Sequence, residues 1–465
     1  MRFFEALGNV FRIPDLRKRV LFTLAMLAVY RLGGHIPTPG VNMNAWEQFF
    51  SRASGTIFGF FDLFAGGNIR RLTIFALGIM PYITASIILQ LLTVVVPTLE
   101  KLQKEGELGR RKITQWTRYL TIILSVIQSF GIAQGLQSMQ GGVVINPGFG
   151  FVTMTIVSLT TGTAFIMWLG EQISDRGIGN GMSLIIFAGI VVGLPNAISN
   201  IYRNTFVTRE WNVLQMIVIL FLMILVVAFI VLVERGERRI PVQYAKRVVG
   251  RRVMGGQSTH MPLKVNAGGV IPVIFASSIL AFPQTLMQMP RVKGIAWLTA
   301  TLTSIRHGEP LYYVLFVAGI IFFCFFYVSI IFNPNEAADN MRKYGGFIPG
   351  IRPGRNTADY MNTILTKITV VGGVYLSVLC LIPDIMISGI KLQHLPLLGN
   401  FMDAHAPRFL LEGLNVNFYF GGTSLLIVVG VAMDTINQVE AQLIMRHYEG
   451  FTPRAGRIRG RRSTF

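Results

Sequence analysis

Apolar residues in this chain are gathered into runs of about twenty, and this feature restricts its fold more than any other. A helix of about 20 residues is long enough to cross the roughly 30 Å hydrocarbon layer of a bilayer. Because lipid offers the backbone no hydrogen-bond partner, spanning segments must be helices or strands of a closed barrel. The runs lack the period-two alternation of barrel strands. The sequence therefore predicts an all-α polytopic membrane protein.

The composition excludes a large soluble enzyme. Apolar residues make up 52% of the 465 residues and charged residues only 14%, whereas soluble domains carry about 25% charged residues. The two cysteines, Cys324 and Cys380, both lie inside apolar runs. They are interpreted as small core residues, since buried cysteines behave as small apolar side chains. Their number and spacing indicate neither a disulfide framework nor a metal site.

The apolar runs predict ten transmembrane helices. They are expected at residues 20–38, 73–96, 114–136, 150–172, 181–201, 213–234, 267–288, 311–332, 366–388 and 419–445. With both termini in the cytoplasm, most of the 42 lysine and arginine residues fall on the cytoplasmic side, as the positive-inside rule requires. We expect a half of five helices over residues 1–205, a second half over 206–445, and a basic cytoplasmic tail over 446–465.

Two cytoplasmic loops, at about 235–265 and 333–365, carry more than orientation needs. The basic residues of the first are Arg238, Arg239, Lys246, Arg247, Arg251 and Arg252. In the second, Arg352 stands between two Pro-Gly pairs, and proline restricts the backbone on both sides of itself. Attraction to lipid headgroups, about 1 kcal/mol per charge, accounts for the number of charges. It does not account for the proline bracketing, which favours a docking surface with a shaped tip.

One short apolar segment does not span the membrane, and two of the predicted spans carry matched interruptions. The segment Gly55–Gly67 is apolar, bounded by glycines and too short to span. It is interpreted as a re-entrant helix, with a surface-lying amphipathic helix as the alternative. The second span reads ALGIMPYITASIILQLL and the seventh reads AGGVIPVIFASSILAFP. Matched interruptions in corresponding helices of two halves are typical of an inverted repeat.

Motifs for enzymatic chemistry are missing from the sequence. No GxxxxGK[ST] phosphate loop is present, and Gly177–Gly181 is interpreted as a tight turn after a membrane helix. His394 and His405 flank Asp403 in an external loop, where a solvated loop is favoured over a metal site. No nucleophile and base can be placed together on one membrane face. We therefore expect no catalytic residues, no metal and no cofactor.

Seven segments of the chain together resemble the SecY family, the channel subunits of the bacterial Sec protein translocon. They read RLTIFALGIMPYITASIILQLLT, EGELGRRKITQWTRY, SDRGIGNGMSLIIFAGIVVGLP, RRIPVQYAKR, QSTHMPLKVNAGGVIPVIFASS, GGFIPGIRPGRNT and FYFGGTSLLIVVGVAMD. They occur in family order over almost the whole length. Two regions depart from the family pattern: the external loop Ser388–Asn417 is longer, and the tail after Met445 is strongly basic.

The resemblance implies a channel for unfolded secretory polypeptides and signal sequences that also releases transmembrane helices sideways into membrane lipid. It implies small SecE and SecG-type subunits, and either the SecA ATPase or a ribosome docked on the cytoplasmic loops. It implies a location in the bacterial cytoplasmic (inner) membrane. The alternative function is an inverted-repeat secondary solute transporter, which intramembrane ionisable residues would favour.

The resemblance also assigns roles to particular residues. It implies a pore ring of Ile79, Ile83, Ile186, Ile190, Ile274 and Ile427, although packing or lipid-facing isoleucines are the plainer alternative. It implies a plug helix carrying Ile57, Phe58, Phe61, Leu63 and Phe64. It places the second and third helices opposite the seventh and eighth, at a lateral gate whose polar residues are Gln90, Ser277 and Ser278. Weak polar contacts between helices, about 0.6–2 kcal/mol each, suit a seam that must reopen. Ordinary hydrogen bonds elsewhere in the bundle are the alternative.

Overall fold

The structure of the protein is a computed structural model. It describes residues 13–53, 62, 65–139, 142–208, 213–244, 247–249, 252–254, 258–286, 302–305, 308–388 and 422–449. Thirteen helices of eight residues or more lie within this part of the chain. In the first half they are α1 Pro14–Gly33, α2 Met43–Ala53, α3 Met80–Val95, α4 Pro97–Lys104, α5 Glu107–Gln137, α6 Phe149–Arg176 and α7 Gly181–Tyr202. In the second half they are α8 Val213–Glu234, α9 Ile271–Leu286, α10 Pro310–Ile331, α11 Pro334–Lys343, α12 Arg355–Ser388 and α13 Gly422–Glu449.

Each of the ten predicted spans coincides with one helix, namely α1, α3, α5, α6, α7, α8, α9, α10, α12 and α13. Among the described residues, five helices are by themselves long and apolar enough to cross a membrane. They are α5, α6, α10, α12 and α13. The bent pair α3 and α4 would make a sixth if the two helices form one broken span. Shorter apolar stretches lie in α7, α8 and α9.

The second span is interrupted at both ends. Helix α3 begins only at Met80, because the preceding residues form turns in which Gly78 has a φ of +57°. Its last residue is followed by Val96, whose extended backbone is the conformation that a following proline favours. Pro97 then starts α4, which is bent by 100° from α3. The turns around Gly78 therefore delay the start of the helix, and Pro97 turns the chain after its last residue.

The two halves meet through corresponding helices. Helix α3 packs against α9, and α7 packs against α13, with a smaller contact between α5 and α9. The first pair are the second spans of the two halves, and the second pair are the fifth spans. Contacts between equivalent helices are what a pseudo-twofold axis between two five-helix halves produces.

The two basic loops, at about 235–265 and 333–365, contain strands that the sequence analysis did not predict. Strands β1 Glu237–Tyr244, β4 Ser258–Lys264 and β5 Gly346–Phe347 form one antiparallel sheet in the order β4-β1-β5. Strands β2 Arg247–Val249 and β3 Arg252–Met254 form a separate hairpin. In β1 the side chains of Ile240 and Val242 are buried between exposed neighbours, so its alternation is short but present. The fold is thus mainly helical, with a small sheet formed by the two basic loops.

Glycine permits one close approach that positions the start of α3. Gly162 of α6 lies against the carbonyl oxygen of Ile74, in the turns before α3, and a Cβ at residue 162 would overlap that oxygen. Since a buried backbone carbonyl cannot move as a flexible side chain can, alanine here should displace the turn. We expect Gly162→Ala to lower the free energy of unfolding by about 1–3 kcal/mol, the usual range for overpacking.

The matched control for this change is Gly150→Ala in the first turn of the same helix. A Cβ at residue 150 would have no neighbour within 4 Å, so this variant should be as stable as the wild type or slightly more stable. Thermal unfolding of the purified protein in detergent compares the two. Equal melting temperatures for both variants would contradict the close approach.

Candidate functional site

All six isoleucines proposed for the ring belong to one buried apolar cluster at the junction of the halves. Their exposed fractions range from 0 to 7%. They come from the four helices that join the two halves: Ile79 and Ile83 at the start of α3, Ile186 and Ile190 in α7, Ile274 in α9, and Ile427 in α13. The structure therefore brings the six positions together, although they are spread over about 350 residues of sequence.

The interrupted start of α3 determines where its two isoleucines lie. Ile79 is the residue immediately before the helix, and its carbonyl accepts the amide hydrogen of Ile83 at an N···O distance of 3.1 Å. Side chains four residues apart share one helix face, so both isoleucines point to the same side. Ile186 and Ile190 have the same spacing in α7. Each half thus contributes apolar side chains and no charge to the ring.

An apolar ring suits a seal better than a filter. Charged rings and carbonyl rings select ions, whereas a hydrophobic constriction blocks them by excluding water. No ring side chain offers a ligand that could replace an ion's hydration shell. Among the described residues, no group of three or more histidine, cysteine, aspartate or glutamate side chains is arranged to hold a metal ion. The chemistry available at this point is therefore exclusion, not coordination.

The polar side chains proposed for the seam between α3 and α9 make local hydrogen bonds. Gln90 donates to the Ser86 hydroxyl on its own helix at 3.3 Å. Ser277 and Ser278 both donate to the carbonyl oxygen of Ile274, at 2.9 and 2.7 Å. The hydrogen bonds described for these three side chains therefore lie within single helices and not across the seam, and their place at a lateral gate stays a prediction. Serine hydroxyls satisfy themselves locally in helices by bonding to carbonyls three or four residues back.

The local bonds of the two serines still matter for the ring. Both hydroxyls converge on the backbone of Ile274, and such back-bonding weakens and bends a helix. We therefore expect helix α9 to bend more easily in the turn that follows Ile274.

The Pro-Gly-bracketed tip has the shape that the sequence indicates. Gly350 and Gly354 have φ values of +82° and +110°, which side-chain-bearing residues rarely adopt. The carbonyl of Arg352 accepts the Thr357 hydroxyl at 2.9 Å, and Ile351 packs on the apolar cluster beneath the sheet. The backbone of the tip is thus fixed from both sides, and the side chain of Arg352 is exposed.

The first basic loop is joined to this tip by the sheet. Gln243 and Tyr244 of β1 pair with Phe347 and Gly346 of β5. The sheet therefore joins the loop at about 235–265 to the loop at about 333–365. Arg238 and Arg239 are exposed on β1. Arg247 and Arg252 lie in the paired strands β2 and β3. The remaining proposed docking residues, Lys246 and Arg251, lie outside the described residues, as do the plug residues Ile57, Phe58, Phe61, Leu63 and Phe64.

The structure describes the end of the plug segment, residues 65–67, and Gly66 contacts helix α7. Gly66 lies so close to α7 that a Cβ there would be 2.7 Å from the Cα of Gly189. Gly189 immediately precedes Ile190 of the ring. The sequence analysis marked the glycines that bound this segment but missed the polar side chains around Gly66, because no motif marks them.

This arrangement defines a class: a polytopic helical membrane protein of two joined halves with a buried apolar cluster at their junction. The chain belongs to the SecY family, whose family model, described as SecY, matches residues 73–436. The protein translocase subunit SecY of Escherichia coli K12 is 50% identical over 449 residues, covering 95% of each chain. The subunit of the same name from Streptomyces galbus is 47% identical over 458 residues, covering 96% of this chain and 99% of the relative.

Solved structures share the fold. One, described as "The structure of a protein conducting channel", superposes with a TM-score of 0.58 at 16% identity and covers 94% of this chain and 95% of that chain. Another, described as Sec61 in the canine ribosome-channel complex, has a TM-score of 0.56 over the same shares at 16% identity. These likenesses establish the ten-helix, two-half architecture of the described residues.

Proposed function

We propose that this chain is the central protein-conducting channel subunit of a Sec translocon. The observation that carries the proposal is the buried apolar cluster to which four helices of the two halves contribute the six isoleucines. From it we infer an apolar constriction lined by these side chains. A constriction of this kind can widen around a polypeptide of any sequence, because it recognises nothing. It also blocks ions when empty. The kinship with protein translocase subunits supports the same function.

The seam supplies a second route. A segment inside the constriction faces lipid if α3 moves away from α9, and the locally satisfied polar groups of both helices leave that movement without lost hydrogen bonds. An apolar transmembrane segment would then partition sideways into lipid, while a polar chain would continue across. We infer that Gln90, Ser277 and Ser278 border this lateral gate and do not lock it.

The energy for transport comes from partners, since the chain has no nucleotide-binding motif. We propose that the sheet and the Arg352 tip dock a SecA-type ATPase or a ribosome, and that small SecE and SecG-type subunits complete the complex. The fold is shared with a channel described in complex with a ribosome, which supports the ribosome as a partner. The exposed arginines suit acidic protein surfaces and RNA phosphates alike.

Import into vesicles tests the proposed function directly. The chain would be reconstituted with a SecE-type subunit and a SecA-type motor, and a radiolabelled precursor would be added with ATP. Protease-protected precursor should accumulate only when both the chain and a signal sequence are present. Protection that is independent of the chain would reject the channel function, and uptake of small solutes instead would favour a transporter.

We propose a location in the bacterial cytoplasmic membrane with both termini inside, supported by the arrangement of lysine and arginine. A cysteine at Asn400, which lies outside the described residues, should react with an impermeant maleimide added to right-side-out vesicles. A cysteine at Gly350 should react only after the vesicles are opened. Labelling of position 350 from outside would reverse the proposed orientation.

A further inference from the structure

Ala65 and Gly66, near the end of the plug segment, accept hydrogen bonds from side chains at the end of α1. The hydroxyl of Tyr30 donates to the carbonyl oxygen of Ala65 at 3.3 Å, and Arg31 Nη1 donates to the carbonyl of Gly66 at 3.1 Å. Asn68 Nδ2 donates to the same Ala65 carbonyl at 2.6 Å and to the Tyr30 hydroxyl at 3.3 Å. Two successive backbone carbonyls thus receive three side-chain donors.

A hinge separates these acceptors from the fixed part of the chain. Gly67 has a φ of +81°, and a Cβ there would have no neighbour within 4 Å. Ala65 and Gly66 lie on the plug side of this glycine, whereas Asn68 lies beyond it. Asp62, also on the plug side and buried, accepts the backbone amide of Arg70 at 2.9 Å. The Asn68–Ala65 and Arg70–Asp62 hydrogen bonds therefore link residues on the two sides of Gly67.

The donors are placed rigidly by packing. The ring of Tyr30 stacks on Phe75 with 5.9 Å between ring centroids, which fixes the position of the hydroxyl. Asn68 is only 1% exposed and lies against Gly34. Because buried carbonyls need partners, pulling Ala65 and Gly66 away breaks several bonds together. Gly66 must also leave its contact with Gly189, next to the ring.

We propose that Tyr30, Arg31 and Asn68 form a latch that keeps the base of the plug on the closed channel and raises the threshold for opening. The inference rests on the proposed function, and it assigns to these side chains a positioning role in gating. A polypeptide entering the ring would displace Gly66 from Gly189, and the latch would release as the segment turns about Gly67. Loosening the latch should let the plug leave without a full signal sequence.

Removal of a single oxygen atom tests the latch. Tyr30→Phe keeps the ring that stacks on Phe75 and removes only the hydroxyl. A cysteine at Ala65, which is 2% exposed in the closed channel, reports opening through its reaction with a water-soluble maleimide. We expect Tyr30→Phe to raise the labelling rate at position 65 about tenfold, as the loss of one net hydrogen bond would. Import of a precursor with a defective signal sequence should rise in parallel.

Two further variants complete the test. Asn68→Leu should produce the same effect, and the double variant should exceed neither single change by much, because both donors share the Ala65 carbonyl. Tyr375→Phe is the matched control, since its buried hydroxyl has no hydrogen-bond partner among the described residues. This control should label and import like the wild type.

The outcome separates the latch from the channel function. If Tyr30→Phe and Asn68→Leu match the wild type in labelling and import, the latch is overturned. A lower melting temperature with unchanged labelling also overturns it, since the contacts would then be structural only. Failure of wild-type import would instead reject the proposed function, and that result does not depend on any latch variant.

Discussion

Replacing Ile83 and Ile190 together with asparagine should raise the ion conductance of the resting channel about a hundredfold. Each change removes an apolar side chain whose burial is worth about 1.5 kcal/mol, and 1.4 kcal/mol corresponds to about tenfold in population. Both residues belong to the first half, one on α3 and the other on α7, and they lie in one cluster, so the two amides would place polar groups in the same wall of the proposed constriction. Planar-bilayer recording of the resting channel measures the effect.

Volume-conserving changes at the same two positions provide the control. Ile83→Leu with Ile190→Leu keeps the constriction apolar and similar in size, and such swaps usually cost less than about 1.5 kcal/mol. This variant should conduct no more than the wild type. The asparagine variant should also import precursors with defective signal sequences. If its conductance stays at the wild-type level while the protein folds normally, the seal lies elsewhere.

Charge reversal at the cytoplasmic tip should have the second large effect. Arg352→Glu should lower motor-driven export at least about tenfold, because opposing a docked partner's charge costs about 2 kcal/mol or more. The described hydrogen bond of this residue is made by its backbone carbonyl, and its side chain is exposed. Folding and assembly with a SecE-type subunit should therefore be unchanged, as measured by co-purification.

The chain offers a control three residues away. Arg355 is also exposed, and it begins α12 outside the Pro-Gly brackets. Arg355→Glu makes the same change in net charge, so it should retain most of the export rate if the shaped tip is what a motor engages. Equal losses in both variants would mean that only the summed charge matters. Normal export with Arg352→Glu would reduce this residue to a topology charge.

The ten helices could be predicted from the sequence because the bilayer imposes a length and the loops impose a charge bias. Helix ends were less predictable where the helix continues past the lipid. Helix α5 starts at Glu107 and α12 at Arg355, well before the predicted starts at 114 and 366. Hydropathy reports where the hydrocarbon ends, whereas a helix stops only where its backbone or caps require it.

The ring positions could be proposed from i,i+4 spacing and the family resemblance, but their convergence in space required the fold. The cytoplasmic sheet was missed because β1 and β5 are about a hundred residues apart, and pairing over such a distance leaves only a short alternation in the sequence. The donors at Tyr30 and Asn68 were missed for a related reason. Their partners are backbone carbonyls, which exist at every residue and therefore leave no sequence signal.

The cytoplasmic sheet belongs entirely to the second half, and this has a mechanical consequence. Strand β1 follows α8, β4 precedes α9, and β5 precedes α12, while Val328 of α10 and Leu365 of α12 pack beneath the sheet. A load applied at the tip is therefore shared among four helices of one half. Among the described residues, the apolar cluster beneath the sheet includes none from α3, so a force from the proposed docked partner would act across the α3–α9 contact. A force that rotates the sheet would therefore move the second half and strain its contact with the first half.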